Sequence, residues 1–451
     1  MAGAPRSAAP RKDTSLLRLL LLALGSGVVA AIAVAAFKLL ILGTEWLAVG
    51  WVGDGWGDLP PLMVLLVPAA GGLLVGIALM AGGVREEEPD HGVTEVIRAA
   101  TMDLEEFPHR EVPLKVSLAA VSLGTGASLG PEDPAVEIGG AAGEWLGRRQ
   151  QLEHDSVRTL VASGAAGGIS ALLYTPLAGV LFSIEVFAVR VRSRAIVLVT
   201  ASALVAWLGM RILLPRAQLD LRVPVGALEL LPMRGLLFCL GLGILAGLVS
   251  VGQILLTYGI RRGFVRGVPV PGWLKPAIGG LLLGAVGLVL PQLLGTGYGT
   301  TESLVGGEMP APALLAALLV GKMLLTAVSF GSGLLGGFFA PAFFIGTTLG
   351  ALLAASAGGW LAPGVGPGTL ALMGTAAALA GMVHAPLTAA ATAAALSGSW
   401  GLAPHLLAAT FASSWTARLI LRSSLYTYPI SDQDSAAHSS ASDFRDQPDL
   451  V

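Results

Sequence analysis

Two short segments carry residue types suited to holding an anion, and they recur at a fixed separation. Gly130-Pro131-Glu132-Asp133-Pro134 and Gly337-Phe338-Phe339-Ala340-Pro341 share the form Gly-x-x-x-Pro within hydrophobic surroundings. The glycine lets the backbone turn, and the proline breaks or starts a helix. The first N–H groups of a helix have no partner inside it. Held in a bilayer they need an acceptor. A dehydrated anion is one, and the helix dipole adds partial positive charge at the same end. Two such starts aimed at one point make a small-anion site without a full positive charge. In the second segment the donors are the amides of Phe338 and Phe339. In the first, Glu132 stands where an anion would bind, and a carboxylate within a membrane segment is costly and a functional candidate by default. It can occupy the anion's place and give it up on taking a proton, which makes it a gate. The other reading is an ordinary helix start, with proline at N1 and acids that complement the dipole.

The two segments belong to a longer repeat. Residues 115–143 match residues 322–350 at an offset of 207, with 13 of the 29 positions identical. The identities include Lys115/Lys322, Ser122/Ser329, Gly130/Gly337 and Pro134/Pro341. A weaker match at an offset of 210 pairs Gly164 with Gly374 and Pro176-Leu177 with Pro386-Leu387. Shared apolar composition does not explain a coincident lysine, serine and several glycines. A duplicated membrane unit does, and such repeats with broken helices in matching places put a binding site between the halves. The repeat alone leaves open whether the halves are parallel or inverted. Lys115 and Lys322 either raise the potential along an anion path or snorkel to an interface.

A bilayer setting follows from composition. Of 451 residues, 54% are hydrophobic and 12% charged, and the mean hydropathy is +0.76. Soluble domains carry roughly twice that charged fraction. A soluble enzyme or nucleic-acid binder is thereby excluded, and a net charge of −2 offers no basic surface to a polyanion. One cysteine, Cys239, and six scattered histidines form no metal-ligand spacing, so no cofactor is expected. Apolar stretches lie near 16–42, 61–82, 112–130, 157–189, 195–214, 231–258, 275–294, 310–359, 368–398 and 400–421. Several exceed the ~20 residues of one span and are interrupted by Gly or Pro, so they hold two or more short or tilted helices. Residues 1–15 read as a basic cytoplasmic arm and residues 431–451 as a polar, disordered tail. Residues 16–430 read as one membrane domain, its halves at about 16–215 and 231–430.

At these residues the chain resembles the CLC family of chloride channels and chloride/proton exchangers, over about residues 16–428. Gly130–Pro134 resembles the family's G-[K/R]-E-G-P motif, and Gly337–Pro341 its G-x-F-x-P motif. Leu425-Tyr426 resembles the tyrosine step near the last helix, and Tyr174–Glu185 the segment that follows the glutamate motif. The resemblance implies an all-α polytopic membrane protein of two inverted, structurally repeated halves with many short, tilted, broken helices. It implies a homodimer in the inner membrane of a prokaryote, with one pore per subunit. It also implies anion coordination by the Phe338 and Phe339 amides and the Tyr426 hydroxyl, with Glu132 as outer gate. Taken by itself, a tyrosine near a membrane end is equally an interfacial anchor.

The departures from the family pattern bear on mechanism. The family's G-S-G-I-P motif falls at 90–95, where His91 stands for the serine and Thr94 for the proline. His91 either donates to the anion or is a loop residue at the water edge. Pro131 replaces a basic residue, and Asp133 replaces a glycine and adds a second acid beside Glu132. Exchangers usually carry a proton-passing glutamate just after the position matched by Glu185; here that residue is Val186, which cannot titrate. Glu185 is displaced from that position by about 100° of helix. The expectation is a permease for chloride or a similar monovalent anion, channel-like or weakly proton-coupled. The alternatives are a chloride/proton antiporter using another proton route, and a broken-helix transporter of an organic anion. An intramembrane enzyme pairing Glu132, Asp133, Glu137 or Glu185 finds no suggestion of a substrate groove. Chloride, nitrate, bromide and fluoride all remain open as the preferred ion.

Overall fold

A computed structural model describes residues 15–50, 55–84, 92–101, 110–187, 193–216, 218–223, 233–358 and 365–431. The described residues form helices and turns, with no strand beyond one isolated bridge. The first half contains α1 (Leu16–Glu45), α2 (Pro61–Ala81), α3 (Val93–Thr101), α4 (Val112–Gly124), α5 (Glu132–Arg149), α6 (His154–Leu173), α7 (Pro176–Val186) and α8 (Ser193–Leu213). The second contains α9 (Met233–Gly267), α10 (Lys275–Gly287), α11 (Tyr298–Val305), α12 (Pro312–Ser332) and α13 (Phe339–Leu353). It closes with α14 (Pro367–Val383), α15 (Pro386–Ser397) and α16 (Ala403–Ile420). Among the described residues, seven helical segments are long and apolar enough to cross a membrane. Two of the long apolar runs split as expected, 310–359 into α12 and α13 and 368–398 into most of α14 with α15, whereas 16–42 lies within one unbroken helix, α1, and nearly all of 231–258 within another, α9. Proline in the first turn of α2, α4, α7, α10, α12, α14, α15 and α16 sets many of the starts, because its missing N–H costs nothing there.

The fold is an all-α membrane fold of two inverted repeats. Equivalent helices pack in equivalent pairs: α5 on α6 as α13 on α14, and α1 on α8 as α9 on α16. Matched glycines make the first of these crossings close. A Cβ on Gly164 would lie 2.0 Å from the Gly139 carbonyl oxygen, and one on Gly374 would lie 2.1 Å from that of Gly346. Small residues at such crossings let helix backbones approach where no water drives association. α6 and α14 each end on a left-handed residue, Tyr174 (φ 56°) and His384 (φ 60°). Each is followed two residues later by the proline that opens the next helix.

The duplication reaches further than the sequence comparison recognised. α2 and α10 pack on each other, and residues 68–76 (PAAGGLLVG) match 276–284 (PAIGGLLLG) at an offset of 208. Their contact is reciprocal: a Cβ on Gly72 would meet the Pro276 carbonyl oxygen at 2.1 Å, and one on Gly280 the Pro68 carbonyl oxygen at 2.0 Å.

Candidate functional site

The repeated Gly-x-x-x-Pro segments touch. After α4 the chain turns through Gly126 and runs unwound to Gly130 before α5 begins at Glu132. After α12 it turns through Gly333 and Gly336 before α13 begins at Phe339. Gly130 and Gly337, equivalent positions of the repeat, exchange both backbone hydrogen bonds in an antiparallel bridge, at 2.8 and 2.6 Å. The matched serines lock the same junction. Ser122 Oγ accepts from Leu335 N–H and Ser329 Oγ accepts from Ser128 N–H, each at 3.1 Å. Each bond is the image of the other under the repeat, since 128 and 335 also differ by 207. Ser122→Ala or Ser329→Ala therefore leaves one buried N–H unsatisfied. Each is expected to cost about 1–3 kcal/mol, read as a lower thermal midpoint in detergent. A midpoint unchanged in both variants would mean the serines do not tie the halves together.

The junction brings two helix N-termini and two carboxylates together. Glu132 is fully buried and Asp133 nearly so. The Tyr298 hydroxyl donates to Glu132 Oε1. The backbone N–H groups of Ala340 and of Glu132 itself face this carboxylate, but none meets Oε2 with hydrogen-bond geometry. Asp133 turns to other donors. Tyr426 O–H donates to Asp133 Oδ1 at 2.7 Å, and the Phe338 N–H also faces the Asp133 carboxylate. Consecutive positions on a helix diverge by about 100°, so the two acids address different partners. Tyr426 is itself held: Thr94 Oγ1 donates to its carbonyl at 3.0 Å, and Leu425 N–H donates to the Met382 carbonyl at 2.9 Å. The rings of Phe338 and Phe339 are buried against Phe330 and Phe182, with centroids 4.9 and 5.6 Å apart, which leaves their amides as the polar face of the helix start.

Cavities approach the pair from two directions. A cavity of about 640 Å³ has Pro131, Tyr298, Lys38 and Glu302 in its wall. A second, of about 30 Å³, is lined by Asp133, Glu137, Lys115, Thr94, Phe338 and Tyr426 among others. Glu132 lines neither, but its neighbour Pro131 and its donor Tyr298 line the first while Asp133 and its donor Tyr426 line the second, so the two acids and their donors form the partition between them.

A family profile described as "Voltage gated chloride channel" matches residues 71–418, most of the chain. The chain belongs to the CLC family. It is 30% identical over 433 residues to the voltage-gated ClC-type chloride channel ClcB of Shigella flexneri, a match covering 94% of this chain and all of that one. It is 31% identical over the same span to the ClcB of Escherichia coli O6:H1. Among solved structures it resembles a slow cyanobacterial Cl⁻/H⁺ antiporter, with TM-score 0.82, 22% identity and coverage of 92% of this chain and 98% of that one. It also resembles a CLC-type fluoride/proton antiporter, with TM-score 0.77, 22% identity and the same coverage. At these identities the two structures speak to the fold.

Of the residues that the sequence singled out in this CLC chain, Glu132, Asp133, Phe338, Phe339 and Tyr426 come together at the junction. Tyr426 is 2% exposed with its hydroxyl on Asp133, which rules out the interfacial-anchor reading. His91 lies outside the described residues; its neighbour Gly92 packs against Asp133. Glu185 does not join the cluster. Its carboxylate accepts from the N–H groups of Leu387 and Thr388 and from the Thr388 hydroxyl, at 2.7–2.9 Å, and so closes the first turn of α15. The snorkelling reading fails for both repeat lysines, which are buried. Lys322 donates to the Gly295 carbonyl at 2.8 Å and lies over the Phe344 ring. Lys115 pairs with Glu95 at 2.6 Å and Glu111 at 3.2 Å. The sequence reading missed Tyr298. The available signal was a hydroxyl-bearing residue in Gly295-Thr296-Gly297-Tyr298, where two glycines with positive φ bend the chain into a new helix.

Proposed function

We propose that this chain is a CLC-type permease for chloride or a similar monovalent anion, gated by Glu132, with the anion coordinated by the Phe338 and Phe339 amides and the Tyr426 hydroxyl. The observation that carries the reading is the exchanged Gly130–Gly337 pair, which aims the starts of α5 and α13 at one place. Helix N-termini favour negative charge. Here two of them face two carboxylates on a partition between cavities, the arrangement needed for an anion to take a carboxylate's place. The curated ClcB relatives bear the name of chloride channels, which agrees with chloride as the substrate. A homodimer in a prokaryotic inner membrane fits the apolar residues that α8 and α16 leave exposed, such as Ile212, Phe411, Trp415 and Leu419.

The coupling is weak on this reading, because Val186 cannot pass a proton and Glu185 is committed to α15. One observation favours the antiport alternative. The Glu137 carboxylate faces that of Glu95, which Lys115 also pairs at 2.6 Å, one helical turn from Asp133, and neighbouring carboxylates favour holding a proton between them. Chloride efflux from liposomes with external pH recorded decides between them. The expected result is chloride efflux with proton movement well below a fixed stoichiometry. Protons driven uphill in constant ratio by a chloride gradient would overturn weak coupling and favour the Glu95–Glu137 route.

A further inference from the structure

In this chain two of the three donors assigned to the central anion already face a carboxylate. Tyr426 O–H and Phe338 N–H both address Asp133, while Glu132 takes Tyr298 and faces Ala340. We propose that Asp133 is a built-in occupant of the central anion seat, a second tethered anion beside Glu132, and that a transported anion enters this seat only after Asp133 takes up a proton and releases Tyr426 and Phe338. The inference rests on reading Phe338 and Tyr426 as anion donors. It goes beyond that reading by naming a resident competitor that is not the gating glutamate.

The surroundings are fitted to this side chain. A Cβ on Gly337 would lie 2.6 Å from Asp133 Oδ1, and one on Gly92 would lie 2.9 Å from Asp133 Cβ. Glycine on both sides leaves the carboxylate its room. Asp133 is 5% exposed, so without these donors its charge would be costly to bury. A neutral carboxylic acid has weaker claims on two donors than a carboxylate or a halide, since hydrogen bonds to ionised acceptors are roughly twice as strong. Protonation therefore hands the seat to the anion.

The small cavity supplies the proton. Asp133, Glu137, Lys115 and Tyr426 share its wall. Glu137 lies one turn along α5, its carboxylate meets Glu95, and Lys115 links Glu95 to Glu111, whose side chain is 42% exposed. One proton leaves the Glu95–Glu137 pair and an Asp133 oxygen gains it; the Lys115 ammonium passes one of its protons to Glu95 and takes one back from water through Glu111. Among the described residues the remaining charged neighbour of Asp133 is Glu132, which in turn feels Lys38. A proton that returns the same way produces pH dependence without exchange.

The test is calorimetric titration of sodium chloride into the purified full-length protein in detergent. It is carried out in a Glu132→Gln background so that the neighbour's own titration does not contribute. With Asp133 present, affinity is expected to be weak at alkaline pH and to rise as pH falls. Asp133→Gly is expected to bind at least about tenfold more tightly at alkaline pH, where Asp133 is charged, and with little pH dependence, the loss of a competitor whose protonation changes about tenfold per pH unit. Asp133→Asn, a near-isostere suited to the same fold, should fall between the two, and it stands in should the glycine variant not fold. Equal, pH-independent affinities with and without Asp133 would overturn the proposal while leaving anion permeation intact. No binding by any folded variant, together with no chloride flux by the wild type, would remove the underlying reading as well.

Discussion

Replacing Glu132 with glutamine is expected to raise chloride flux from liposomes by about tenfold or more at alkaline pH, where the carboxylate is charged, and to flatten the pH profile. The Glu132 carboxylate is fully buried on the partition between the two cavities. Among the described residues its side-chain donor is the Tyr298 hydroxyl. The sign follows from the charge. As pH falls the carboxylate takes a proton, loses its hold on the helix N-termini and gives its place to the anion, so wild-type flux rises toward acid. Well above its midpoint, the protonated fraction of a carboxylate changes about tenfold per pH unit. Glutamine keeps the shape and an acceptor for Tyr298 but needs no proton. Residual pH dependence in the variant belongs to Asp133 and should vanish in the double variant Glu132→Gln/Asp133→Gly. A Glu132→Gln protein with the wild-type pH profile would remove Glu132 from gating.

Gly337→Ala is expected to abolish most of the flux and to lower the thermal midpoint. The added methyl would lie 2.6 Å from Asp133 Oδ1 and 2.7 Å from both Asp133 Cγ and Asp133 N. The carboxylate can swing away, but the backbone nitrogen cannot move without shifting the start of α5. That shift breaks the hydrogen bonds Gly337 exchanges with Gly130. Overpacking of this kind costs about 1–3 kcal/mol, and here the strain falls on the junction that aims both helix starts. Thermal unfolding in detergent and liposome flux read the two consequences separately. A variant with wild-type stability and flux would show that the bridge is dispensable.

The junction was legible in the sequence because the duplication preserved what holds it. Ser122 and Ser329 stood out as identical polar residues in an apolar repeat, and their hydroxyls prove to accept reciprocal hydrogen bonds across the halves. Gly130 and Gly337 stood out in the same way, and they pair directly. The α2/α10 match escaped because its offset is 208, one residue away from the main repeat, and it is short. Tyr298 escaped because its partner lies 166 residues away, and the Gly-x-Gly-Tyr pattern marks a helix start without naming that partner. Asp133 was visible as a departure, a second acid beside Glu132, but the sequence did not show its donors. The helical rotation between consecutive positions sends each acid to its own donors. Lys115 and Lys322 show the limit of the repeat itself, since identical residues at equivalent positions serve an ion pair in one half and carbonyl oxygens in the other.

The claim beneath all of this is that the starts of α5 and α13, with Tyr426, hold a dehydrated anion between them. Anomalous scattering from crystals of the Glu132→Gln protein, grown in bromide at acid pH, tests it most directly. The expected result is a bromide peak within hydrogen-bonding reach of the Phe338 and Phe339 amides and the Tyr426 hydroxyl. Bromide confined to the protein surface, with none between the two helix starts, would contradict it.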